Sequence, residues 1–331
     1  MTSYSSDFDE LDIRIAMALQ ANGRATWGLI ASVLNVPVRT VARRGQRLVE
    51  SGAVQVSTYL DTTVVGDARP LLIQVGTPPG DALGVAHRLA ERSDASSVSV
   101  LESGADVICL LMPRTASEST RLVVEDLPRV GQLTSVRVST LLKFFRSGFD
   151  WTALPLSDDL LTRLRDWEMP VYHDGAARMS LSPEDEKLIS ILVRDGRASV
   201  SDLAERVGLT PPTVKRRLEA LMRGGALHVR TEVSSVLHGL RVEALTWVQL
   251  PPDRIETVGR ALGRHPSVRF CAACTGPAEL LVDCVLADEH ALYRFLTEDV
   301  AALGVTSAQT SVVLVPVRRG PMLVSDGLEM A

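Results

Sequence analysis

The chain has 331 residues, of which 46% are hydrophobic and 23% charged, and its formal net charge is −5 at pH 7. This composition is typical of a globular protein, and no apolar run reaches the ~18 residues that cross a bilayer. The opening residues, MTSYSSDFDELD, lack the basic-then-apolar order of a secretion signal. We therefore expect a cytoplasmic protein with no membrane partner.

Residues 1–64 contain a pattern that returns later in the chain. Gly23 and Arg24 recur as Gly196 and Arg197, 173 positions on. The same offset relates identical residues at Leu19, Ala25, Ala31, Thr40, Val41, Arg43, Arg44, Leu48, Gly52 and Ala53. Two copies of about 140 residues are too long for a solenoid repeat and indicate a duplicated module. Because a fused duplication usually replaces a homodimer, we expect an intrachain pseudo-dimer.

We predict a helix-turn-helix domain over residues 1–64, with arginines along its third helix. Gly45 lies inside this helix, where the second copy has Leu218. Glycine in a helix interior costs about 1 kcal/mol relative to a good helix former. It also omits the inward apolar side chain that Leu218 supplies, so the two copies are expected to be unequal.

Residues 65–149 read as strand, helix, strand, strand, helix, strand, with helices near 81–92 and 115–129. This order predicts a ferredoxin-like split βαβ sheet. Residues 150–181 contain Pro155, Pro170 and Gly175. They are expected to form a structured connector with a short helix from Asp158 to Trp167.

A second helix-turn-helix domain is predicted over residues 182–236. Ser182 provides an N-cap with Asp185 three residues later, which predicts the first helix. Ser199 caps the second helix, Gly208 ends it, and Thr210 caps the third. Three short helices with a glycine in the tight turn between the last two are typical of this motif.

Residues 237–319 repeat the order of the first sheet domain, and residues 320–331 are expected to form a tail. Strands are predicted near 242–250, 268–274, 279–286 and 305–317, with helices near 254–265 and 288–303. The predicted fold class is α+β, with two winged-helix-like helix-turn-helix domains alternating with two ferredoxin-like domains. Each sheet has one face without helices, and two copies packed back to back would bury both faces.

The third helices carry the residues suited to DNA. Guanidinium groups bind guanine edges or phosphates in bidentate fashion, and hydroxyls near a helix start bind phosphate. A solvated amphipathic face is the alternative reading of any single basic helix. Repetition of the pattern after a capped two-helix unit favours double-stranded DNA as a partner. The predicted DNA-binding residues are Arg39, Thr40, Arg43, Arg44, Arg47, Thr210, Thr213, Lys215, Arg216 and Arg217.

The four cysteines are too sparse for a disulfide framework. Cys271 and Cys274 have the spacing of a zinc half-site, but on a strand their side chains point to opposite faces. No second pair supplies the remaining ligands. We expect buried cysteines, with no metal, no cofactor and no catalytic residue.

The sequence resembles the Lrp/AsnC, or feast/famine, family of transcriptional regulators over about 9–146 and 182–319. The resemblance rests on the domain order and on the run Leu203-Ala204-Glu205-Arg206-Val207-Gly208-Leu209-Thr210, followed by Arg216-Arg217-Leu218 and Gly225-Ala226-Leu227. It implies that the sheet domains are effector-binding RAM domains. It also implies dimers or assemblies of dimers, so self-association of whole chains is expected.

The same resemblance places a small-molecule effector, an amino acid or related carboxylate, near a Gly-x-x-Asp turn between the second and third strands. The matching positions are Ser103, Gly104, Ala105 and Asp106 in the first copy, and Gly276, Pro277, Ala278 and Glu279 in the second. Both depart from the pattern, one with serine for glycine and the other with glutamate for aspartate. An ordinary tight turn between antiparallel strands is the alternative.

Two other functions fit a duplicated module of this kind. Enzymes of haem biosynthesis that decarboxylate sirohaem resemble the same architecture. They share a His-Asn-Tyr-x-Arg segment on the second strand, where this chain has Arg269-Phe270-Cys271-Ala272-Ala273-Cys274. A standalone sensor that does not bind DNA is the third candidate, but it would not need two basic helices. The sequence therefore favours a transcriptional regulator over an enzyme.

Overall fold

A computed structural model describes residues 8–148, 151–153, 157–164, 178–320 and 322–323. Thirteen α-helices lie in these ranges: α1 Glu10–Ala21, α2 Trp27–Leu34, α3 Val38–Glu50, α4 Thr62–Val65, α5 Ala82–Ala90, α6 Ala116–Arg121, α7 Asp158–Leu164, α8 Pro183–Arg194, α9 Val200–Val207, α10 Pro211–Arg223, α11 Ser235–His238, α12 Ile255–Arg264 and α13 Glu289–Arg294. The strands in the same ranges are β1 Val54–Leu60, β2 Leu71–Gly76, β3 Ala95–Leu101, β4 Asp106–Leu111, β5 Ser135–Arg146, β6 Leu227–Val233, β7 Val242–Gln249, β8 Val268–Cys274, β9 Leu280–Leu286, β10 Ser307–Arg319 and β11 Met322–Leu323. None of the helices so described is long and apolar enough to span a membrane.

The chain forms two compact units, each built from two separate stretches. The HTH unit contains residues 1–65 and 152–239, and the sheet unit contains residues 66–151 and 240–331. Each unit therefore takes one half from each sequence copy. The pseudo-dimer expected from the duplication is present in both.

Local signals account for the helix limits in the HTH unit. The side chains of Asp9 and Ser182 cap α1 and α8 in matching capping boxes. Thr26 and Ser199 cap α2 and α9. Asn35 and Gly208, the residues that directly follow α2 and α9, are both in the left-handed conformation that ends a helix. Every helix of the first triplet starts and ends 173 positions before its counterpart, so the sequence register is also the structural one.

Strands β1 and β6 join the two helix-turn-helix domains as an antiparallel ribbon. Val54 pairs with Val233 and Leu60 with Leu227, while Ser57 pairs with Arg230 at the centre. Position 230 is the repeat counterpart of position 57. The centre of the ribbon therefore lies on a pseudo-two-fold axis, as in an isologous dimer.

Two equivalent arginines join the two helix-turn-helix domains across this axis by hydrogen bonds. Arg24 donates to the carbonyls of Gly196 and Ala198, the latter at 2.9 Å, and Arg197 donates to those of Gly23 and Ala25, the latter at 3.0 Å. Burial lowers the pKa of both guanidinium groups, which are hydrogen-bonded to carbonyl oxygens instead of water. The recurrence of these arginines was visible in the sequence, but their reciprocal contact was not.

Gly45 does not leave a gap in the first copy, which corrects the sequence expectation. A Cβ atom at this position would lie 2.3 Å from a ring carbon of Trp27, so the indole covers the glycine. The counterparts of this pair are Val200 and Leu218 in the second copy. The two copies therefore fill the same space with opposite combinations of large and small residues.

The sheet unit consists of two four-stranded antiparallel sheets. Their strand orders are β3-β4-β2-β5 and β8-β9-β7-β10, which is the ferredoxin-like order predicted from the sequence. The long last strand of each copy also pairs with the second strand of the other, β5 with β8 and β10 with β3. This reciprocal exchange makes the eight strands a closed ring, to which β11 adds at β10.

Three hydrophobic cores stabilise the sheet unit. Two lie between a sheet and its own helices, one in each copy. The third contains side chains from both copies, among them Leu72, Leu101 and Leu141 from the first and Leu245 and Leu281 from the second. It buries the helix-free faces of both sheets, as predicted.

The connector is only partly within the described residues. Helix α7 starts at the predicted Asp158 and is described to Leu164, whose carbonyl accepts a hydrogen bond from Asn22 at 2.7 Å. The predicted end of this helix at Trp167 lies outside the described residues, as does most of the predicted tail. The domain limits chosen from the sequence remain predictions.

Candidate DNA-binding surface and effector turns

Arg44 and Arg217 attach the third helices to the first helices. Arg44 contacts Asp9 at 2.6 Å and the buried Asp12 at 3.1 Å. Its counterpart Arg217 donates to Asp185 Oδ1 at 3.0 Å and to Ser182 Oγ at 3.0 Å. A carboxylate buried without such a partner would be costly, so these ion pairs position α3 and α10.

The pKa of Asp185 reflects this arrangement. Burial acts to raise it, but hydrogen bonds from Ser182 and Arg217 outweigh burial and the pKa is lowered. Arg47 also contacts Asp12, at 2.6 Å. Arg44, Arg47 and Arg217 were predicted to contact DNA. Their contact with DNA stays a prediction, and in this structure all three bind carboxylates of the first helices or of the residues that cap them.

The remaining basic residues of the third helices face solvent. Arg39 and Arg43 on α3 and Arg216 on α10 are exposed, and no carboxylate within the described ranges pairs with them. Lys215 lies 3.9 Å from Glu219, a distance too long for a strong ion pair. These side chains can therefore reach a phosphate or a guanine edge without breaking a contact of the fold.

Hydroxyl groups lie at the start of both third helices. Thr210 Oγ1 and Thr213 Oγ1 are 2.9 Å apart, and Thr40 occupies the position equivalent to Thr213. Neither third helix has a side-chain cap on its first amides, which corrects the expectation that the Thr210 side chain caps α10. Hydroxyls at a helix start are suited to an anionic oxygen, whereas Pro211 and Pro212 leave the first two positions of α10 without an N–H donor.

The first predicted effector turn, Ser103 to Asp106, connects β3 and β4. Ser103 Oγ accepts a hydrogen bond from the amide of Asp106 at 3.0 Å and lies 2.8 Å from its carboxylate. Gly104 has a φ of +67°, which favours glycine. The side chains of this turn are thus bonded to one another.

The second predicted turn, Gly276 to Glu279, connects β8 and β9. Glu279 Oε2 accepts from the amide of Leu250 at 3.0 Å, and Gln249 donates to the carbonyl of Pro277 at 2.6 Å. Ala278 is buried. Thr275 directly precedes this turn. Its amide donates to the carbonyl of Thr140 on strand β5 of the first copy, and its hydroxyl oxygen accepts from the amide of Thr140. Residues of both copies therefore border this turn.

A charged cluster on the face between the sheets was not found from the sequence. Arg269 donates to Asp283 at 2.7 Å and to Glu243, which also accepts from Arg319. Asp283 interrupts the apolar run Leu280–Leu286, which was the available signal. The first copy has Ser96, Leu110, Pro70 and Arg146 at the equivalent positions, so the cluster belongs to the second copy alone.

Asp283 is expected to make stability depend on pH. Burial raises its pKa from 3.8 to about 6, against the opposing effect of Arg269. Because the folded pKa lies above the unfolded one, the protonated carboxyl of Asp283 favours the folded state. This stabilisation is complete below about pH 4 and is lost as pH rises through 6. In urea unfolding, the free energy of unfolding of the wild type relative to Asp283→Asn should therefore fall as pH rises across this window. A relative free energy that rises with pH would contradict the raised pKa.

The cysteines are buried thiols. Cys271 lies in the core between sheet and helices, and Cys274 in the core between the sheets, so they point to opposite faces as predicted. Burial raises the pKa of Cys271 to about 12 and that of Cys274 to about 11. Among the residues that the structure covers, no group of three or more histidine, cysteine or acidic side chains is placed to hold a metal ion.

Comparison with known protein families gives two matches. A model of the AsnC-type helix-turn-helix domain matches residues 8–49 and again residues 184–222. A model of the Lrp/AsnC ligand binding domain matches residues 243–323. The first model thus detects both copies of the helix-turn-helix domain.

Individual relatives agree with these matches. An HTH-type transcriptional regulator of Pyrococcus horikoshii is 25% identical over 138 residues, which are 41% of this chain and 87% of the relative. The leucine-responsive regulatory protein of Escherichia coli K12 is 28% identical over 146 residues, which are 42% of this chain and 88% of the relative. Each relative therefore corresponds to about one of the two copies.

Among solved structures, the siroheme decarboxylase NirDL matches with a TM-score of 0.62 and 13% identity, over 96% of both chains. At this identity the likeness concerns the duplicated fold alone. The family matches, the named relatives and the repeated module agree on one assignment. The chain therefore carries the two domain types of the Lrp/AsnC transcriptional regulators, with the helix-turn-helix domain matched in both copies and the ligand binding domain matched in the second copy.

Proposed function

We propose that this chain is a sequence-specific DNA-binding regulator that reads one operator with both third helices and senses a small metabolite. The observation that carries the proposal is the pair Arg43 and Arg216. They occupy equivalent exposed positions across the pseudo-two-fold axis, while the neighbouring Arg44 and Arg217 are held by carboxylates of the fold. A dimer-like pair of helices with free guanidinium groups is suited to successive major grooves.

The test is salt-controlled binding to a DNA site selected from random duplexes. Replacing Arg43 and Arg216 with alanine is expected to weaken binding at least ~30-fold, because each guanidinium is worth about 1–3 kcal/mol at a guanine. If the lost contacts are to phosphates, the slope of log K against log salt should fall by about 2. The control, Arg121→Ala with Arg260→Ala, removes two exposed arginines from the sheet unit. Equal losses in both variants would contradict the proposal.

We further propose that the effector is an amino acid or related carboxylate bound near the turn Gly276–Glu279 or its counterpart Ser103–Asp106. Support comes from the family match, which extends over the second turn and is described as a ligand binding domain. The second turn also borders β5 of the other copy, so a ligand there would contact both copies. Such a ligand can alter DNA affinity only by binding one conformation more tightly than another.

Thermal melts with amino acids and related carboxylates test the effector. A ligand at a hundredfold excess over its Kd should stabilise the protein by about 2.7 kcal/mol. Asp106→Asn and Glu279→Gln keep the size of each side chain and remove its charge. Loss of ligand binding in one variant assigns the turn, and binding unchanged in both places the effector elsewhere. Stabilisation by none of the compounds would favour a regulator without an effector.

We propose that the chain is not an enzyme. On β8, Arg269 is committed to Asp283 and Glu243, which leaves it unsuited to the carboxylates of a tetrapyrrole. Adding sirohaem should give no Soret-band shift, and a saturable shift would support the decarboxylase alternative. Light scattering of whole chains tests the proposed self-association.

A further inference from the structure

The two third helices are equivalent in position but not in chemistry. α3 and α10 have the same length and the same offset as the strands β1 and β6, which pair symmetrically about Ser57 and Arg230. The reciprocal bonds of Arg24 and Arg197 maintain this symmetry. Each exposed residue of α3 therefore has a counterpart on α10 that meets the equivalent part of the other half-site.

The identical counterparts include one half-buried pair of threonines and one exposed pair of arginines. Thr40 matches Thr213, and Arg43 matches Arg216. Both arginines are exposed. The two half-sites should therefore share the bases or phosphates that these residues contact.

The differing pair with the greatest change in hydrogen-bonding capacity is Arg39 and Pro212, one turn before the shared arginines. Both are exposed at the start of their helices. Arg39 offers five N–H donors in a planar fork, whereas proline offers neither a side-chain donor nor a backbone N–H. A guanine or phosphate contact at this position is available only to the first copy.

A second difference lies one turn after the shared arginines. Gln46 on α3 is matched by Glu219 on α10, whose carboxylate accepts from Arg223 at 2.7 Å. Glutamine can bond adenine in bidentate fashion, whereas a carboxylate accepts from cytosine and repels phosphate. In addition, α10 has Lys215 where α3 has Ala42. The two helices therefore present positive charge at different positions.

On the basis of the proposed function, we infer that the operator of this protein is non-palindromic. Its two half-sites share the contacts of Arg43 and Arg216 and differ where Arg39 faces one half and Pro212 the other. Because both helices are in one chain, the protein binds this site in one orientation only. A homodimer cannot do this, since its two recognition helices are identical.

Selection from a random duplex library, with the full-length chain, provides the site. Three duplexes are then compared at one salt concentration: the selected composite, and two palindromes made by repeating either half. We expect the composite to bind roughly tenfold or more tightly than at least one palindrome, since one bidentate contact gives about that discrimination. Equal affinity for all three would overturn the inference.

Variants locate the difference. Arg39→Ala should relax base preference in one half-site only, and Pro212→Arg should raise affinity for the palindrome of that same half. Pro212→Ala is the matched control and should leave the preference between palindromes unchanged. Both positions are exposed, so circular dichroism should confirm that each variant is folded. Relaxation of both halves by Arg39→Ala would contradict the assignment.

The outcomes separate this inference from the proposed function. Specific binding to a selected palindrome would leave the proposed function intact and overturn the non-palindromic operator. Failure to enrich any sequence, together with binding that two arginine substitutions do not weaken, would overturn the proposed function itself.

Discussion

Replacement of Gly196 with alanine is expected to lower the free energy of unfolding of the HTH unit by about 3 kcal/mol, at the upper end of overpacking costs. The new Cβ would lie 2.8 Å from the backbone N and Cα of Ser57, at the centre of the β1–β6 ribbon. The backbone cannot retreat easily, because the amide of Gly196 donates to Val56 at 3.0 Å and its carbonyl accepts from Arg24. Urea unfolding measures the loss.

Two other glycines provide comparisons. Gly28 is exposed on α2, and its added Cβ would meet only Thr26 Oγ1, at 3.9 Å. Gly28→Ala should therefore be neutral or stabilising by up to ~1 kcal/mol. At Gly23, the counterpart of Gly196, the added Cβ would lie 2.6 Å from Thr231 Oγ1, which donates to the carbonyl of Leu19, so alanine should be destabilising there as well. Equal stability of the Gly196 and Gly28 variants would show that the close approach is not tight.

The second large effect is a compensation between Trp27 and Gly45. Trp27→Val alone should cost about 2–4 kcal/mol, since it opens a cavity and removes the ring that Arg197 covers at 4.3 Å. Gly45→Leu alone should cost about 1–3 kcal/mol by overpacking against the indole. The double variant reproduces the packing of Val200 and Leu218.

A double-mutant cycle from urea unfolding measures this coupling. The double variant should lie within ~1 kcal/mol of the wild type, so the coupling energy should be about 2 kcal/mol or more. If the losses of the two single variants simply add, the side chains at positions 27 and 45 do not fill a shared space, and the proposed compensation is wrong. The same measurement on Arg206→Ala, an exposed substitution on α9, shows how much an unrelated surface change alters the free energy of unfolding.

Much of the fold follows from short-range signals in the sequence. Caps at Ser182 and Ser199, the glycine stop at Gly208 and the alternation of apolar residues lie within a few positions of the elements that they set. The fixed offset of 173 residues then transfers each element to the other copy. The fold class, the strand order and the burial of both sheet faces were predictable in this way.

The candidate site was predictable only as a set of residue types. The basic third helices and the two turns were named correctly as elements, but the sequence did not separate Arg43 from Arg44. That separation depends on Asp9 and Asp12, more than thirty positions earlier in the chain, which bind Arg44. The role of Arg24 depends in the same way on carbonyls of the other copy.

The sequence by itself determined the duplication, the family and the order of elements. Caps and periodicity lie within a few residues of each element, and a repeat is found by comparing the sequence with itself. Only the tertiary structure decided which cations are held by carboxylates, how Trp27 replaces the side chain missing at Gly45, and which strands the two copies exchange. These outcomes depend on contacts between distant residues. Their energies come from packing and charge pairing in three dimensions, which no local pattern records.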